Sequence, residues 1–129
     1  MNSKKVIHNL STRALGKQGE VWARDFLIKK GYCLVKENYC IRGGEIDLIM
    51  CDGEDWVFVE VKTRYCGACG LPETAIDWRK KLHLRRAAEW YAHRYNLIDK
   101  TFRLEAVAIE VDSVRRKMIV RHYRNVGWD

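Results

Sequence analysis

The chain has 129 residues, 47% of them hydrophobic and 11% aromatic, which suits one domain with its own core. Its formal net charge of +7 points toward a polyanionic partner such as nucleic acid, with a merely solvated basic surface as the alternative. No run of 18 apolar residues exists and the start, MNSKKVIHNLSTRALG, has no apolar core of a secretory signal, so a membrane-spanning helix is excluded and a cytoplasmic location is expected.

Residues 1–11 are polar and read as a flexible N-terminus, leaving 12–129 as a single domain. Residues 12–30 read as a helix whose apolar face is Leu15, Gly19, Trp22, Ala23, Phe26 and Leu27, with Gly31 as its stop. Strands are expected at 32–39, 45–51 and 56–63, the last two joined by the turn Asp52-Gly53-Glu54-Asp55. A long second helix follows over 73–96, with Ile76, Leu84, Ala87, Tyr91 and Tyr95 on its buried face. Two further strands, 103–111 and 117–123, close the chain. The order αβββαββ predicts an α/β layer fold with helices on both faces of a mixed central sheet.

Five cysteines at irregular spacing argue for reduced thiols. Cys66-Gly-Ala-Cys69 has C-x-x-C spacing, but a closed zinc site needs four ligands and no second such pair exists. A thiol or zinc protein built on Cys66 and Cys69 stands as one alternative function; two incidental loop thiols are the plainer reading.

The segment GGEIDLIMCDGEDWVFVEVKTR, residues 43–64, carries the chemistry. Strand side chains alternate faces. Ile46, Leu48 and Met50 therefore share one apolar face with Val57, Val59 and Val61. The other face carries Asp47, Ile49 and Cys51, then Trp56, Phe58, Glu60 and Lys62. With the turn at 52–55, counting back sets Ile49 opposite Phe58 and Asp47 opposite Glu60. Two opposed carboxylates on an otherwise apolar face repel, and a divalent cation between them resolves the conflict. Oxygen ligands favour Mg²⁺ or Mn²⁺, with Asp47 and Glu60 as the metal ligands. Lys62, on the same face, is placed to position a water or stabilise developing charge. A Glu60–Lys62 salt bridge on a wet sheet face is the plain alternative. Glu45 is read as facing away from Asp47, in a supporting role.

Gly16-x-x-Gly19-Glu20, Gly31-Tyr32, Asn38, Arg42, Gly44-Glu45-Ile46-Asp47-Leu48-Ile49 and Phe58-Val59-Glu60-Val61-Lys62-x-Arg64 together resemble the bacterial YraN family. That family looks like a branch of the PD-(D/E)xK nuclease superfamily, similar to archaeal Holliday junction resolvases, and the match runs from about residue 13 to 125. The resemblance implies a restriction-endonuclease-like three-layer fold and metal-dependent phosphodiester hydrolysis in nucleic acid, DNA first, including branched or damaged structures. It implies Asp47, Glu60 and Lys62 as catalytic residues, with Glu20 adding a metal or water contact. It also allows a homodimer, since resolvase-like proteins work as symmetric dimers. A non-catalytic nucleic-acid-binding module of the same fold is the other alternative.

For phosphate contacts the candidates are Arg42 and Arg64 within the motifs and Arg79, Lys80, Arg85 and Arg86 on the second helix. Lys80 falls on the inward stripe with Ile76 and Leu84, where a cation favours an anion beside it or reaches back to the rim. Relatives commonly read Arg-Phe-Asp where this chain has Arg103-Leu104-Glu105, so Glu105 is either a structural residue or a support of the site.

Overall fold

A computed structural model describes residues 10–65 and 78–124, with the side chains of 78–82 excepted. Cys66, Cys69, Ile76, the side chains of Arg79 and Lys80, and most of the polar N-terminal stretch lie outside the described residues. The elements are α1 (Thr12–Lys29), β1 (Cys33–Ile41), β2 (Gly44–Asp52), β3 (Asp55–Tyr65), α2 (Trp78–Arg94), β4 (Phe102–Asp112) and β5 (Lys117–Tyr123), the expected αβββαββ order. Among the described residues no helix is long and apolar enough to cross a membrane.

Helix α1 begins at the Ser11 N-cap, whose Oγ accepts the Ala14 N–H at 3.2 Å. It ends where Gly31 takes a φ of +100°, a conformation that glycine adopts without steric cost. The sheet runs β1-β2-β3-β4-β5. All neighbours are antiparallel except β3 and β4, which pair in parallel from Trp56↔Phe102 to Tyr65↔Val111 across the α2 crossover. The β2–β3 turn has Gly53 at φ +63° and Asp52 paired with Asp55, so it is a two-residue hairpin inside the expected four-residue segment.

Each face of the sheet is covered by one helix. Leu15, Ala23 and Leu27 of α1 pack on Leu48, Met50, Val57, Val59, Val107 and Ile109. On the other face Leu84, Ala87, Ala88 and Tyr91 of α2 pack on Ile49, Phe58 and Leu104. Ile46 corrects the alternation read from the sequence: it joins Ile49 and Phe58 on the α2 side, not Leu48 and Met50. Tyr95, expected in the buried face, is 42% exposed, its ring centroid 4.6 Å from that of Tyr91 at a tilt of 39°, beneath the Lys36 ammonium.

At the hairpin end a buried polar network ties sheet to helix. Glu105, fully buried, accepts from Tyr32 Oη (2.9 Å), Arg103 Nε (2.9 Å) and His122 Nε2 (2.6 Å). Arg103 also pairs with Asp52 at 2.8 Å and Asp55 at 2.7 Å, fastening the β2–β3 turn to β4. Lys30 Nζ lies 3.0 Å from His122 Nδ1. An ammonium only donates, so Nδ1 accepts and Nε2 carries the proton given to Glu105. Burial acts to raise the Glu105 carboxyl, but the bonds from His122, Arg103 and Tyr32 outweigh it and hold the group below its usual range. Position 105 is therefore a structural acid.

Candidate metal centre

Besides a register shift between Leu34 and Lys36, the β1–β2 ladder is interrupted at Asn38. The β1–β2 register steps from Glu37↔Leu48 to Tyr39↔Ile46, leaving Asn38 opposite Asp47 outside the pairing. Asn38 stands at φ +49°, a left-handed conformation that asparagine tolerates better than most residues. On the other side the β2–β3 ladder ends at Leu48↔Val59, one position short of the Asp47–Glu60 pair that counting from the turn gives. Beyond it, the Asp47 side chain takes over: its Oδ2 accepts the Val61 N–H at 2.8 Å. Strand β3 continues along β4 while β2 peels away, and Asp47 sits in the opening.

The break also reorients the residues before it. With Ile46 turned toward α2, Glu45 reaches the α1 side, which corrects the reading that it faces away from Asp47. Carboxylate oxygens of Glu20, Glu45 and Asp47 all lie within 4.8 Å of one another. The Asn38 amide, oriented with its nitrogen toward the acids, donates to Glu45 Oε1 at 2.8 Å and Glu20 Oε1 at 2.9 Å. Glu20 owes its place to Gly19. A Cβ built on Gly19 would stand 2.7 Å from Thr63 Cβ and 3.0 Å from Thr63 Cγ2, so only glycine lets α1 approach β3 this closely.

A cleft of about 380 Å³ opens on the α2 side, lined by Gly43, Glu45, Asp47, Glu60, His83 and Leu84. Asp47 and Glu60 thus share a cleft, although the acids within 4.8 Å of one another are Glu20, Glu45 and Asp47. Lys62, half-buried, is two residues beyond Glu60 on β3 and opposite Ala108 of β4. A smaller hollow on the α1 side includes Lys17, Glu20, Glu37 and Asn38.

Electrostatics follow from this crowding. Burial pushes the Asp47 carboxyl up to about 7; the Val61 N–H opposes the rise, and the charges of Glu20, Glu60 and Glu45 add to it. Burial likewise raises Glu20, with Glu45 adding and the Asn38 hydrogen bond opposing. The raised carboxyls of Asp47 and Glu20, with Glu45 beside them, make a site whose charge a cation would offset. Metal–oxygen distances of about 2.1 Å for Mg²⁺ set bound oxygens at most about 4.2 Å apart, so oxygens that lie within 4.8 Å of one another need little or no movement to share an ion, and the all-oxygen donor set suits Mg²⁺ or Mn²⁺. The residues present fit such an ion.

The basic candidates are dispersed. Arg64 lies 3.9 Å from Glu110. Arg85 pairs with Glu89 at 3.3 Å along α2, and Arg86 and Arg42 are exposed. Sequence reasoning gave no role to Asn38 or His83 and undervalued Glu45. Glu45 was undervalued because regular alternation gives no sign of the break at Asn38 that brings it to Glu20. No sequence signal marks His83, which one turn of α2 brings over the cleft.

Residues 19–118 match the family described as "Uncharacterised protein family UPF0102". A UPF0102 protein of Carboxydothermus hydrogenoformans is 38% identical over 117 residues, covering 91% of this chain and 98% of the relative. A UPF0102 protein of Moorella thermoacetica is 36% identical over 107 residues, covering 83% and 89%. One from Alkaliphilus metalliredigens is 37% identical over 105 residues, covering 81% and 92%.

Proposed function

The chain belongs to the uncharacterised protein family UPF0102, and from the acid cluster just described we propose that it is a divalent-metal-dependent nuclease acting on DNA. One observation carries this reading: three carboxylates from two elements, Glu20 on α1 with Glu45 and Asp47 on β2, converge where the sheet opens. The similarity of the GEIDLI and FVEVKxR segments to PD-(D/E)xK nucleases supports it.

In this reading Glu20, Glu45 and Asp47 hold Mg²⁺ or Mn²⁺, with Glu60 beside them in the cleft. The bound ion supplies charge neutralisation for a phosphate and a lowered pKa for a water. Asn38 fixes two of the acids through one amide. Asp47, ionised on binding, keeps its aim through the Val61 N–H. Lys62 shares the Glu60 face of β3 and stabilises negative charge developing on phosphate. The excess of Lys and Arg over acids draws the polyanion to an otherwise acidic cleft.

The test joins binding to cutting. Calorimetry with Mn²⁺ is run beside a cleavage panel of linear, nicked, single-stranded and branched DNA, for wild type and Asp47→Asn. Cation binding and metal-dependent cleavage, both lost in Asp47→Asn, are expected. Wild-type protein that binds neither Mn²⁺ nor DNA at low salt overturns the proposal; binding of DNA without cleavage reduces it to a nucleic-acid-binding module.

A further inference from the structure

Strands β1 and β2 set Cys33 directly opposite Cys51. Both thiols are free, Cys33 exposed and Cys51 half-buried. The next pair, Leu34↔Met50, keeps the same register, and the ladder shifts only beyond it. Opposed residues of an antiparallel pair point to one face, with Cα atoms about 4.5–5.5 Å apart. A disulfide spans Cα separations of about 4.4–6.8 Å. Cys40 differs: it is opposite Glu45, and its Sγ lies 3.8 Å from Glu45 Oε2 and 3.7 Å from the Asn38 carbonyl oxygen.

We propose that Cys33 and Cys51 are a reversible modification site, converted to a cross-strand disulfide by exchange with small-molecule disulfides of the glutathione type. Exposure makes Cys33 the point of entry. Burial raises the Cys51 thiol, with Cys33 adding, which makes Cys51 the poorer first nucleophile. The Cys33 thiolate attacks one sulfur of the small disulfide; that S–S bond breaks, one thiolate leaves, and a mixed disulfide forms on Cys33. Cys51 then gives its proton to water and attacks the Cys33 sulfur, expelling the second small thiol. Two protein thiols are oxidised while one small disulfide is reduced to two thiols.

The link encloses the stretch of chain that carries Asn38, Glu45 and Asp47, so oxidation prevents β1 from parting from β2 around these residues. It does not depend on the nuclease reading, because neither cysteine belongs to the acid cluster.

The test uses the reduced full-length chain incubated with oxidised glutathione, trapped by alkylation and mapped by mass spectrometry. Cys33 and Cys51 should lose alkylation together, in one cross-linked species two hydrogens lighter, restored by dithiothreitol. Cys51→Ser should hold glutathione on Cys33, and Cys33→Ser should leave Cys51 alkylated. The linked wild type should melt at a higher temperature than the reduced form, with no such rise in Cys51→Ser. Full alkylation of both thiols at saturating oxidised glutathione overturns the proposal. So does wild-type Cys33 that stays glutathionylated, or a link from Cys33 to Cys40, Cys66 or Cys69.

Discussion

Asp47 Oδ2 accepts the backbone N–H of Val61 at 2.8 Å, a side chain completing a ladder that the main chain of β2 abandons. A buried N–H left without a partner costs on the order of 1–3 kcal/mol, so this carboxylate has a structural duty alongside its place among the acids.

The two duties separate with pH. The folded protein holds the Asp47 carboxyl at about 7 against an ordinary 3.8, so the native state binds the proton more tightly than the unfolded chain. The associated stability is fully present below about pH 4 and is lost as pH rises through 7. Asp47→Asn keeps an oxygen for the Val61 N–H and removes the charge. Its metal-free melting temperature should equal or exceed wild type, with the gap widening from pH 4 to 7 and then levelling. Added Mn²⁺ at pH 8 should raise wild type more than the variant. A variant clearly less stable than wild type at pH 8, with no Mn²⁺ shift in the wild type, contradicts this account.

Asn38 allows backbone and side-chain effects to be told apart. Asn38→Gly keeps the left-handed φ and removes the amide that orients Glu20 and Glu45, so Mn²⁺ affinity should fall by about 10- to 100-fold, as for other groups that orient metal ligands. Asn38→Val places a β-branched residue at φ +49° and should cost about 1–2 kcal/mol of stability besides. Calorimetry and urea unfolding measure the two losses; equal Mn²⁺ affinity in Asn38→Gly and wild type would remove the amide from the site.

Gly19→Ala forces a methyl into Thr63, whose Cβ cannot rotate away. Destabilisation of about 1–3 kcal/mol is expected from such overpacking, together with weaker Mn²⁺ binding as Glu20 is carried off with α1. Gly16→Ala is the control, because nothing lies within 4 Å of its added Cβ. Equal stability of both variants would contradict the close helix–strand approach.

Glu105 should behave in the opposite way to Asp47. Its carboxyl is held below the ordinary 4.5, so its contribution is present above that value and lost as pH falls through the lower folded one. Glu105→Gln weakens the bonds from Arg103, His122 and Tyr32, while Arg103 keeps Asp52 and Asp55, and should cost about 1–3 kcal/mol at pH 7, with the deficit shrinking in acid. Mn²⁺ affinity should not change. A variant as stable as wild type at pH 7 would show the network to be energetically idle.

The fold was largely legible because periodicity reports burial directly. Leu15, Ala23 and Leu27 at helical spacing, and Leu48, Met50, Val57 and Val59 at strand spacing, lie in the cluster that joins α1 to the sheet. The hairpin count also gave the Ile49↔Phe58 pair, though the ladder stops before Asp47 and Glu60. What alternation cannot carry is its own failure. Ile46 and Glu45 went to unexpected sides because Asn38 adopts a left-handed φ, and nothing in the apolar pattern announces one such residue. The convergence of Glu20 with Glu45 depends on the depth at which α1 docks, which Gly19 sets across a contact distant in sequence.

The left-handed turn at Asn38 has a consequence for how these molecules meet one another. Among the described residues strand β1 is an outer strand of the sheet, and an uninterrupted edge offers unpaired N–H and C=O groups as a template for a strand from another molecule. At Asn38 that row breaks mid-strand, next to the charged side chains of Lys36 and Glu37. An incoming strand could follow β1 for only a few residues on either side. The irregularity that gathers the acids thus also protects the edge against sheet-to-sheet aggregation, so variants that straighten this strand should lose solubility as well as the cation.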